Sequence, residues 1–297
     1  MPTPRSPCLA PNMYPETILY ETAGMRPGAI DWSRVTAARW WARGQRLEPL
    51  TRLTSEGLDA LEGLARQKAA LRSNIENFLA GRPCNHMLLW GSRGTGKSSL
   101  VRALPAEFAA RGLRMIEVDR DDLADLPRIA AELAPLNWCF LVYCDDLTFA
   151  AGERGYRHLK TLIEGSLEAP PENVRLIVTS NRRHLVPEFR ADNAAARVLD
   201  GELHESEAIE DAVALADRFG LSLSFYANRQ EDYLAIIDRL FPSLPASCDR
   251  AALHVSALRF ARARGQRSGR TARQFFNAAG GDPERAVRLA GVAEEDR

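Results

Sequence analysis

Residues 87–99 read MLLWGSRGTGKSS, and this stretch decides the fold class that the sequence predicts. Its segment Gly91–Ser98 fits the pattern G-x-x-x-x-G-K followed by Ser or Thr, and it lies between an apolar run and a helical pattern. In such a phosphate-binding loop, glycines allow consecutive backbone N–H groups to point into one concavity, where the start of the next helix also favours an anion. An ordinary glycine-rich turn is the alternative, but the strand before the loop and the helix after it favour the phosphate loop.

The loop predicts a site for a nucleotide and Mg²⁺. Lys97 is expected to reach the β- and γ-phosphates as a compact positive charge, and the Ser98 hydroxyl is placed to bind Mg²⁺. Lysine is rare here, since the 39 basic residues include only Lys68, Lys97 and Lys160 as lysines. Codon bias in a GC-rich genome explains the scarcity most simply, and a need for a compact ammonium group at position 97 is the sharper interpretation. The predicted nucleotide-binding residues of the loop are Gly91, Ser92, Arg93, Gly94, Thr95, Gly96, Lys97, Ser98 and Ser99.

Two carboxylates follow a second apolar run, CFLVYCDD over residues 139–146. An unbroken apolar run is typical of a strand that is buried on both faces. Ligand sites of open parallel sheets lie at the carboxyl ends of the strands, where this run places Asp145 and Asp146. We expect Asp145 to hold Mg²⁺ through water and Asp146 to orient or deprotonate the attacking water. An Asp pair after a strand also occurs in turns and helix caps, but the phosphate loop upstream favours the functional interpretation.

Asn181 ends a third strand pattern, VRLIVTSN over residues 174–181. An amide at the end of a strand can hydrogen-bond both an attacking water and the γ-phosphate, so Asn181 is a predicted catalytic residue. An Asn that merely begins a turn is the alternative, and the two nucleotide motifs upstream favour the catalytic role.

Strand patterns at 87–90, 114–118, 139–144, 174–181 and 221–225 alternate with helical patterns. This alternation predicts an α/β fold in which a mostly parallel sheet carries helices on both faces. Only helical patterns follow residue 225. We therefore predict a proline-rich arm with a short helical segment over 1–54, an α/β nucleotide-binding domain over 55–226 and a small all-α lid domain over 227–297. A long helix is expected from Ser55 to about Leu79.

Composition places few further limits on function. The 297 residues hold 39 Lys+Arg and 39 Asp+Glu, and zero net charge argues against a protein that coats nucleic acid by bulk attraction. The proline-rich N-terminus lacks the apolar core of a secretory signal, and no apolar run approaches the ~18 residues of a membrane span. The five cysteines show no metal-ligand spacing. We expect a cytoplasmic protein without a membrane partner.

Taken together, the phosphate loop, the acidic strand end, Asn181 and the helical C-terminal part resemble the AAA+ ATPase family over residues 55–290. The segments LLWGSRGTGKSSLV, CDDL, ADRFGLSLSF and SGRTARQF are similar to those of a bacterial group of predicted AAA+ ATPases. The resemblance implies ATP and Mg²⁺ as cofactors, hydrolysis of ATP at a subunit interface of a homo-oligomer, and a remodelling or loading step on a macromolecule.

Two further segments acquire roles from the same resemblance. LADRFG, residues 215–220, is similar to the segment of replication initiators, clamp loaders and branch-migration motors that supplies an arginine finger, which implies that Arg218 reaches the nucleotide of a neighbouring subunit. RSGRTARQF, residues 267–275, is similar to the lid helix that carries a second sensor, with Arg270 as the first choice and Arg273 as the second. The alternative for each arginine is a solvated surface position.

Departures from the family pattern leave rival functions open. Most AAA+ proteins carry Glu where this chain has Asp146, and the shorter side chain puts the hydrolysis rate in doubt. The loop DRDDLADLP, residues 119–127, lacks the aromatic residue of protein-threading members, which argues against an unfoldase. The rivals are a nucleotide-gated binding switch with little turnover, a P-loop phosphotransferase acting on a small molecule, and a nucleic-acid motor.

Charge is unevenly distributed. Residues 200–217 hold seven Asp/Glu and no Lys/Arg, whereas residues 259–273 hold six Arg and no acid. A solvated acidic face, and a lid whose arginines serve the nucleotide or a neighbouring subunit, explain the two stretches most simply. Docking between successive subunits is an alternative. Nucleic-acid phosphates are a weaker alternative for the arginines, because few aromatic side chains for base stacking lie among them.

Overall fold

The computed structural model describes residues 30–148, 156–165, 169–183, 185 and 214–289. Most of the proline-rich arm and most of the acidic stretch 200–217 lie outside these residues. Within them, seven strands form one sheet in the order β2-β1-β4-β5-β6-β3-β7. The strands are β1 Ala37–Trp41, β2 Arg46–Pro49, β3 Met87–Gly91, β4 Leu113–Glu117, β5 Cys139–Cys144, β6 Val174–Ser180 and β7 Leu221–Phe225.

Helices connect the strands and follow the last of them. The α-helices of the described residues are α1 Ala65–Leu79, α2 Lys97–Arg102, α3 Leu104–Phe108, α4 Leu126–Leu133, α5 Tyr156–Glu164, α6 Gln230–Leu240, α7 Arg250–Ala263, α8 Gly269–Ala278 and α9 Pro283–Arg288. Across this described part, every helix is too short or too polar to cross a membrane.

The sheet is parallel except at one edge, which confirms the predicted α/β fold. β3 pairs in parallel with β6 and with β7, and β5 lies in parallel between β4 and β6. Only β1 and β2 pair antiparallel within the described sheet. Because parallel neighbours need crossover connections, the helices between them cover both faces.

The buried strand β5 shows how the two faces are filled. Phe140 and Val142 belong to a hydrophobic cluster on one face of the sheet, with the side chains of α4 and α5. Leu141 and Tyr143 alternate with them and belong to a cluster on the other face, with those of α1 and α3. All six residues of β5 are buried, so the unbroken apolar run in the sequence reflects a strand that is covered on both sides.

The N-terminal part departs from the sequence prediction. The short helical segment predicted within residues 1–54 stays a prediction: in the described part of this range, β1 and β2 form a strand pair with a three-residue 3₁₀ helix, Ala42–Gly44, between them, and β1 joins the sheet through β4. Trp40 is buried and donates its indole N–H to Asp125 at 2.8 Å, while Trp41 stays 40% exposed. This alternation is a strand pattern of period two. The sheet thus begins before residue 55, where the sequence placed the start of the α/β domain.

The helix expected from Ser55 begins only at Ala65. Gly57 has extended backbone angles, and Gly63 adopts a left-handed conformation with φ +72°, so neither residue continues a helix. Leu58 in the intervening 3₁₀ turn is fully buried. The leucine spacing that suggested a helix therefore reflects buried contacts of an irregular segment.

The helices α6 to α9 follow β7 and enclose a hydrophobic cluster of their own. Tyr233 and Ile237 of α6 meet Leu253 of α7 and Phe275 of α8 in this cluster, and all four side chains are buried. The helical pattern predicted after residue 225 is thus present in the described residues, and its interpretation as a lid domain stays a prediction.

Candidate functional site

The phosphate-loop sequence lies between β3 and α2, as the sequence predicted. Gly91, Gly94 and Gly96 have positive φ angles of 136°, 76° and 98°, a backbone conformation that favours glycine. A Cβ on Gly91 would lie 1.9 Å from the carbonyl oxygen of Phe225, at the end of β7. The Ser92 N–H donates to that same oxygen at 3.2 Å, which fixes the start of the loop to the neighbouring strand.

Lys97 is buried at the start of α2, with 7% of its surface exposed. Its ammonium group donates to the carbonyl oxygens of Gly91 and Ser92 at 2.7 and 2.8 Å and to Oδ1 of Asn181 at 3.1 Å. Burial lowers the pKa of Lys97, and the negative charges of Asp146 and Asp145 oppose that shift. The ammonium is therefore held at the carboxyl ends of β3 and β6, at the floor of the loop.

Asp145 and Ser98 meet at the carboxyl end of β5. The Ser98 hydroxyl donates to Asp145 Oδ1 at 2.7 Å, and the Thr179 hydroxyl donates to the same oxygen. Arg102 donates to Asp145 Oδ2 at 3.1 Å. Burial raises the pKa of Asp145, but the hydrogen bonds from Thr179 and Ser98 outweigh it and hold that pKa below its usual range. Asp145 is thus an anionic oxygen donor beside a serine hydroxyl.

Asp146 and Asn181 form the second polar pair of the site. Asn181 donates its side-chain N–H to Asp146 Oδ1, while its own oxygen accepts from Lys97. Asp146 has a left-handed backbone with φ +51°, and its N–H donates to the Thr179 hydroxyl at 2.9 Å. These bonds connect the ends of β5 and β6 to the phosphate loop in one polar chain.

These side chains face a cavity of about 1030 Å³ between the sheet and the C-terminal helices. Arg270 and Arg273 of α8 line it from the side opposite the loop, so the structure brings both sensor candidates to the site. Arg270 is the nearer one, because a Cβ on Gly94 would lie 3.5 Å from its Cβ and its charge contributes to the lowered pKa of Lys97. The other predicted residues that line the cavity are Arg93, Gly94, Thr95, Gly96, Lys97, Ser98, Ser99, Asp145, Asp146 and Asn181.

Arg218 is absent from the lining of this cavity. It follows a short helical turn before β7, and its guanidinium forms an ion pair with Glu164 at the end of α5. About 28% of the Arg218 side chain is exposed. The structure therefore places Arg218 apart from the phosphate-loop residues of its own chain.

Several contributors to the site were missed by sequence reasoning. Thr179 and Arg102 both bind Asp145, and the irregular segment 54–62 supplies one wall of the cavity. Tyr143 is buried on the same strand face as Asp145, and its hydroxyl lies beside Ser98 and Asp145 without a well-aligned hydrogen bond. Burial raises the pKa of that hydroxyl, as does the charge of Asp145. Tyr143 lies two residues before Asp145, and residues two apart in a strand point to the same face. This spacing was the signal in the sequence that could have predicted Tyr143.

The donor set suits phosphate and Mg²⁺. The Ser98 hydroxyl and the Asp145 carboxylate are hard oxygen donors, the type that Mg²⁺ prefers, and one or two such ligands suffice when phosphate oxygens supply others. The described residues contain no group of three or more His, Cys, Asp and Glu side chains that could hold a metal ion by themselves. The glycine-rich backbone and Lys97 provide the complementary anion site.

The mostly parallel sheet with a phosphate-loop sequence after β3 and carboxylates after β5 is a fold that other proteins share. Solved structures of RuvB from Thermotoga maritima share this fold. An arginine-to-alanine variant is 16% identical with a TM-score of 0.52, covering 80% of this chain and 71% of that chain. A threonine-to-valine variant is 18% identical with a TM-score of 0.51, covering 80% and 72%. The structure described as the RuvB Holliday junction branch migration motor is 16% identical with a TM-score of 0.50, covering 80% and 72%.

Residues 33–282 match the family described as "Protein of unknown function (DUF815)". The chain belongs to the DUF815 family, since this match spans most of its length. No curated protein matches the sequence.

Proposed function

We propose that this chain is an ATPase of the AAA+ class, which binds ATP with Mg²⁺ in the cavity between the sheet and α8 and hydrolyses it to ADP and phosphate. The observation that carries the proposal is the polar chain from Lys97 through Asn181 to Asp146, next to the Ser98–Asp145 pair. Phosphate binding, metal binding and water activation need these groups side by side.

Each residue of the chain then has a chemical task. Lys97 neutralises the β- and γ-phosphates, and the loop N–H groups bind the β-phosphate. Ser98 and Asp145 would hold Mg²⁺, which when bound neutralises charge on the phosphate oxygens. Asp146 orients or deprotonates the attacking water, and Asn181 fixes the position of the Asp146 carboxylate. Arg270, with Arg273 as the second choice, contacts the phosphates from α8.

Arg218 completes the site from a neighbouring subunit in this proposal. It lines no part of its own cavity, and a guanidinium that reaches another copy would stabilise charge on the transferring phosphoryl group. The ion pair with Glu164 holds it in place at the start of β7. Hydrolysis is therefore expected to require a homo-oligomer, and its rate per chain should rise with protein concentration.

Substitution of Lys97 tests the nucleotide site. Lys97→Ala is expected to weaken binding of a fluorescent ATP analogue at least tenfold, because no other ammonium group stands at the loop. Lys160→Ala is the matched control, since Lys160 is exposed on α5 and lines neither cavity. Unchanged affinity in Lys97→Ala would show that the site is assigned wrongly.

Asp146→Asn should keep ATP binding and abolish phosphate release.

A nucleotide-gated switch with little turnover is the second candidate. It is favoured by Asp146, which is one methylene shorter than Glu and whose carboxylate is already engaged by Asn181. Under oligomer-forming conditions, the ATPase predicts continuous phosphate release, whereas the switch predicts at most one phosphate per bound nucleotide. Asp146→Glu would raise turnover if the short side chain limits the rate.

The work done with ATP is a remodelling or loading step on a macromolecule in the cytoplasm. One RuvB neighbour is described as a branch migration motor, which keeps nucleic acid among the candidate substrates. If DNA and RNA both fail to stimulate phosphate release at low salt, a nucleic-acid motor is excluded.

A further inference from the structure

A second cavity of about 600 Å³ adjoins the phosphate loop at the carboxyl ends of β3, β6 and β7. It shares Arg93, Asp146 and Asn181 with the first cavity. None of the helices α6 to α9 lines this second cavity, so it opens on a different side of the sheet edge from the first cavity. The proposed function leaves this cavity without a role.

The second cavity is strongly basic. Its described lining includes Arg93, Arg120, Arg182 and Arg183, with Asp146 as the one carboxylate among these described residues. Arg120 pairs with Asp121 at 3.4 Å, outside the lining. Within the described part of the chain, the guanidinium groups of the other three arginines form no ion pair. Four guanidinium groups around one cavity repel one another, so an anionic partner would stabilise them.

Two aromatic rings stand among these arginines. Tyr226 is 71% exposed, and its ring meets Trp90 edge-on at 6.2 Å between centroids. Arg183 lies over the Trp90 ring at 5.6 Å, and the Trp90 indole N–H is fixed to the Ser222 hydroxyl at 3.0 Å. Exposed aromatic residues beside arginine are enriched where protein surfaces bind partners.

We propose that this basic cavity receives acidic side chains from the segment 200–217 of a second copy of the chain. The segment carries seven Asp/Glu and no Lys/Arg, which complements the unpaired arginines. It also leads directly into Arg218. This inference rests on the proposed function: if Arg218 reaches the nucleotide of a neighbour, the residues before it arrive at the same sheet edge, where the basic cavity lies.

Docking at this cavity would couple assembly to hydrolysis. Asp146 and Asn181 line both cavities, so a segment seated in the second one contacts the groups that position the attacking water. Because the contact is between opposite charges near the surface, assembly should weaken as salt is raised from about 0.05 to 0.5 M.

A charge-swap experiment tests the pairing with the full chain. Arg182→Glu/Arg183→Glu makes the net charge of the described cavity lining negative, and Glu205→Arg/Glu207→Arg/Glu210→Arg/Asp211→Arg makes that of the segment positive. Each variant alone is expected to lose the ATP-dependent rise in mass measured by light scattering, because like charges then face each other. An equimolar mixture should regain that rise, since alternating copies restore opposite charges at every contact.

The control variant is Arg259→Glu/Arg262→Glu, on an exposed face of α7 outside both cavities. It should assemble as the wild type does. Loss of assembly in the control, with rescue by the Glu205→Arg/Glu207→Arg/Glu210→Arg/Asp211→Arg variant, would overturn the proposal in favour of the helical arginines. If the Arg182→Glu/Arg183→Glu protein does not fold, Arg182→Gln/Arg183→Gln replaces it in the experiment. This variant should weaken assembly at least fivefold.

Nucleotide binding is measured in the same samples with a fluorescent ATP analogue. If the wild type binds the analogue and the mixture stays unassembled, this inference fails while the nucleotide site stands. If the wild type does not bind it, the proposed function fails.

Nucleic acid is the other polyanion that could occupy the basic cavity, and a fluorescent single-stranded oligonucleotide tests for its binding. One result would overturn the inference in favour of nucleic acid: Arg182→Gln/Arg183→Gln loses binding of the oligonucleotide, while this variant and the segment variant both assemble as the wild type does.

Discussion

Tyr143 places a hydroxyl inside the protein, beside the predicted metal ligands, where it has no hydrogen-bond partner of normal geometry. A buried polar group without a partner costs free energy relative to its hydrated state in the unfolded chain. Such exceptions concentrate where a ligand is expected to complete the bonding. The residue therefore connects the stability of the chain to the chemistry of Ser98 and Asp145.

Tyr143→Phe is expected to keep or raise the free energy of unfolding, by up to about 1 kcal/mol, because it removes only an unpaired hydroxyl. Tyr233→Phe is the matched control. The Tyr233 hydroxyl is also buried but donates to the Ala257 carbonyl at 3.1 Å, so its removal should cost about 1 kcal/mol. Urea denaturation without nucleotide or Mg²⁺ compares them, and a loss above about 1 kcal/mol in Tyr143→Phe would contradict the prediction.

His86 makes stability depend on pH. Its Nδ1 accepts the N–H of Leu176 at 3.0 Å, and burial, with a smaller contribution from the charge of Arg175, lowers its pKa to about 4. The unfolded chain binds a proton near pH 6.5 and the folded chain does not, so stability falls as pH drops from 6.5 towards 4. The loss between pH 7.5 and 5 should be about 2 kcal/mol.

His86→Asn should remove this part of the pH dependence, because the amide oxygen can accept the Leu176 N–H without titrating. The measurement is urea denaturation of the wild type and the variant at both pH values. Equal pH slopes for the two proteins would refute the assignment.

At the scale of elements, the close approach of β3 to β7 fixes the entry of the phosphate loop. Gly91→Ala is expected to cost about 3 kcal/mol or more, since the new Cβ would meet the Phe225 carbonyl at 1.9 Å. Gly112→Ala is the control, with φ +99° but open space around its Cβ, and it should cost about 1–2 kcal/mol. Thermal denaturation separates them, and equal losses would mean that backbone conformation alone matters.

Local sequence patterns predicted most of the strands. They failed where contacts between residues far apart in the sequence determine the secondary structure. The run at 139–144 is typical of a strand covered on both faces, and residues 91–98 fit the phosphate-loop pattern. AARWW, residues 37–41, has too few residues to show its alternation clearly, and it becomes a strand by pairing with β4. The leucines before Ala65 keep helical spacing, yet Gly63 prevents the helix. The wall formed by 54–62 depends on where that segment packs.

At the scale of the whole molecule, the proposed nucleotide site lies between the sheet and the C-terminal helices. Arg270→Ala and Arg273→Ala are expected to reduce the stabilisation of the protein by ATP, because both line the cavity from α8. A tenfold loss of affinity lowers that stabilisation by about 1.4 kcal/mol at fixed saturating ATP. We expect the larger effect for Arg270, which lies closer to the phosphate loop.

Thermal denaturation with and without ATP measures this stabilisation, and Arg262→Ala on α7 is the control. Arg262 is exposed like the other two arginines but lines neither cavity, so its variant should respond to ATP as the wild type does. Equal stabilisation by ATP in all three variants would remove α8 from the nucleotide site.

The order of the strands has a consequence for how the protein is made. β3 carries the phosphate loop, but both of its neighbours, β6 and β7, come later in the chain. Lys97 and Asn181 are 84 residues apart, and the bond that anchors Ser92 needs Phe225. Contacts of such long sequence separation form late, because a large loop must close first. A nascent chain that has not yet released β7 thus lacks a formed phosphate loop, so ATP would assist only the last steps of folding.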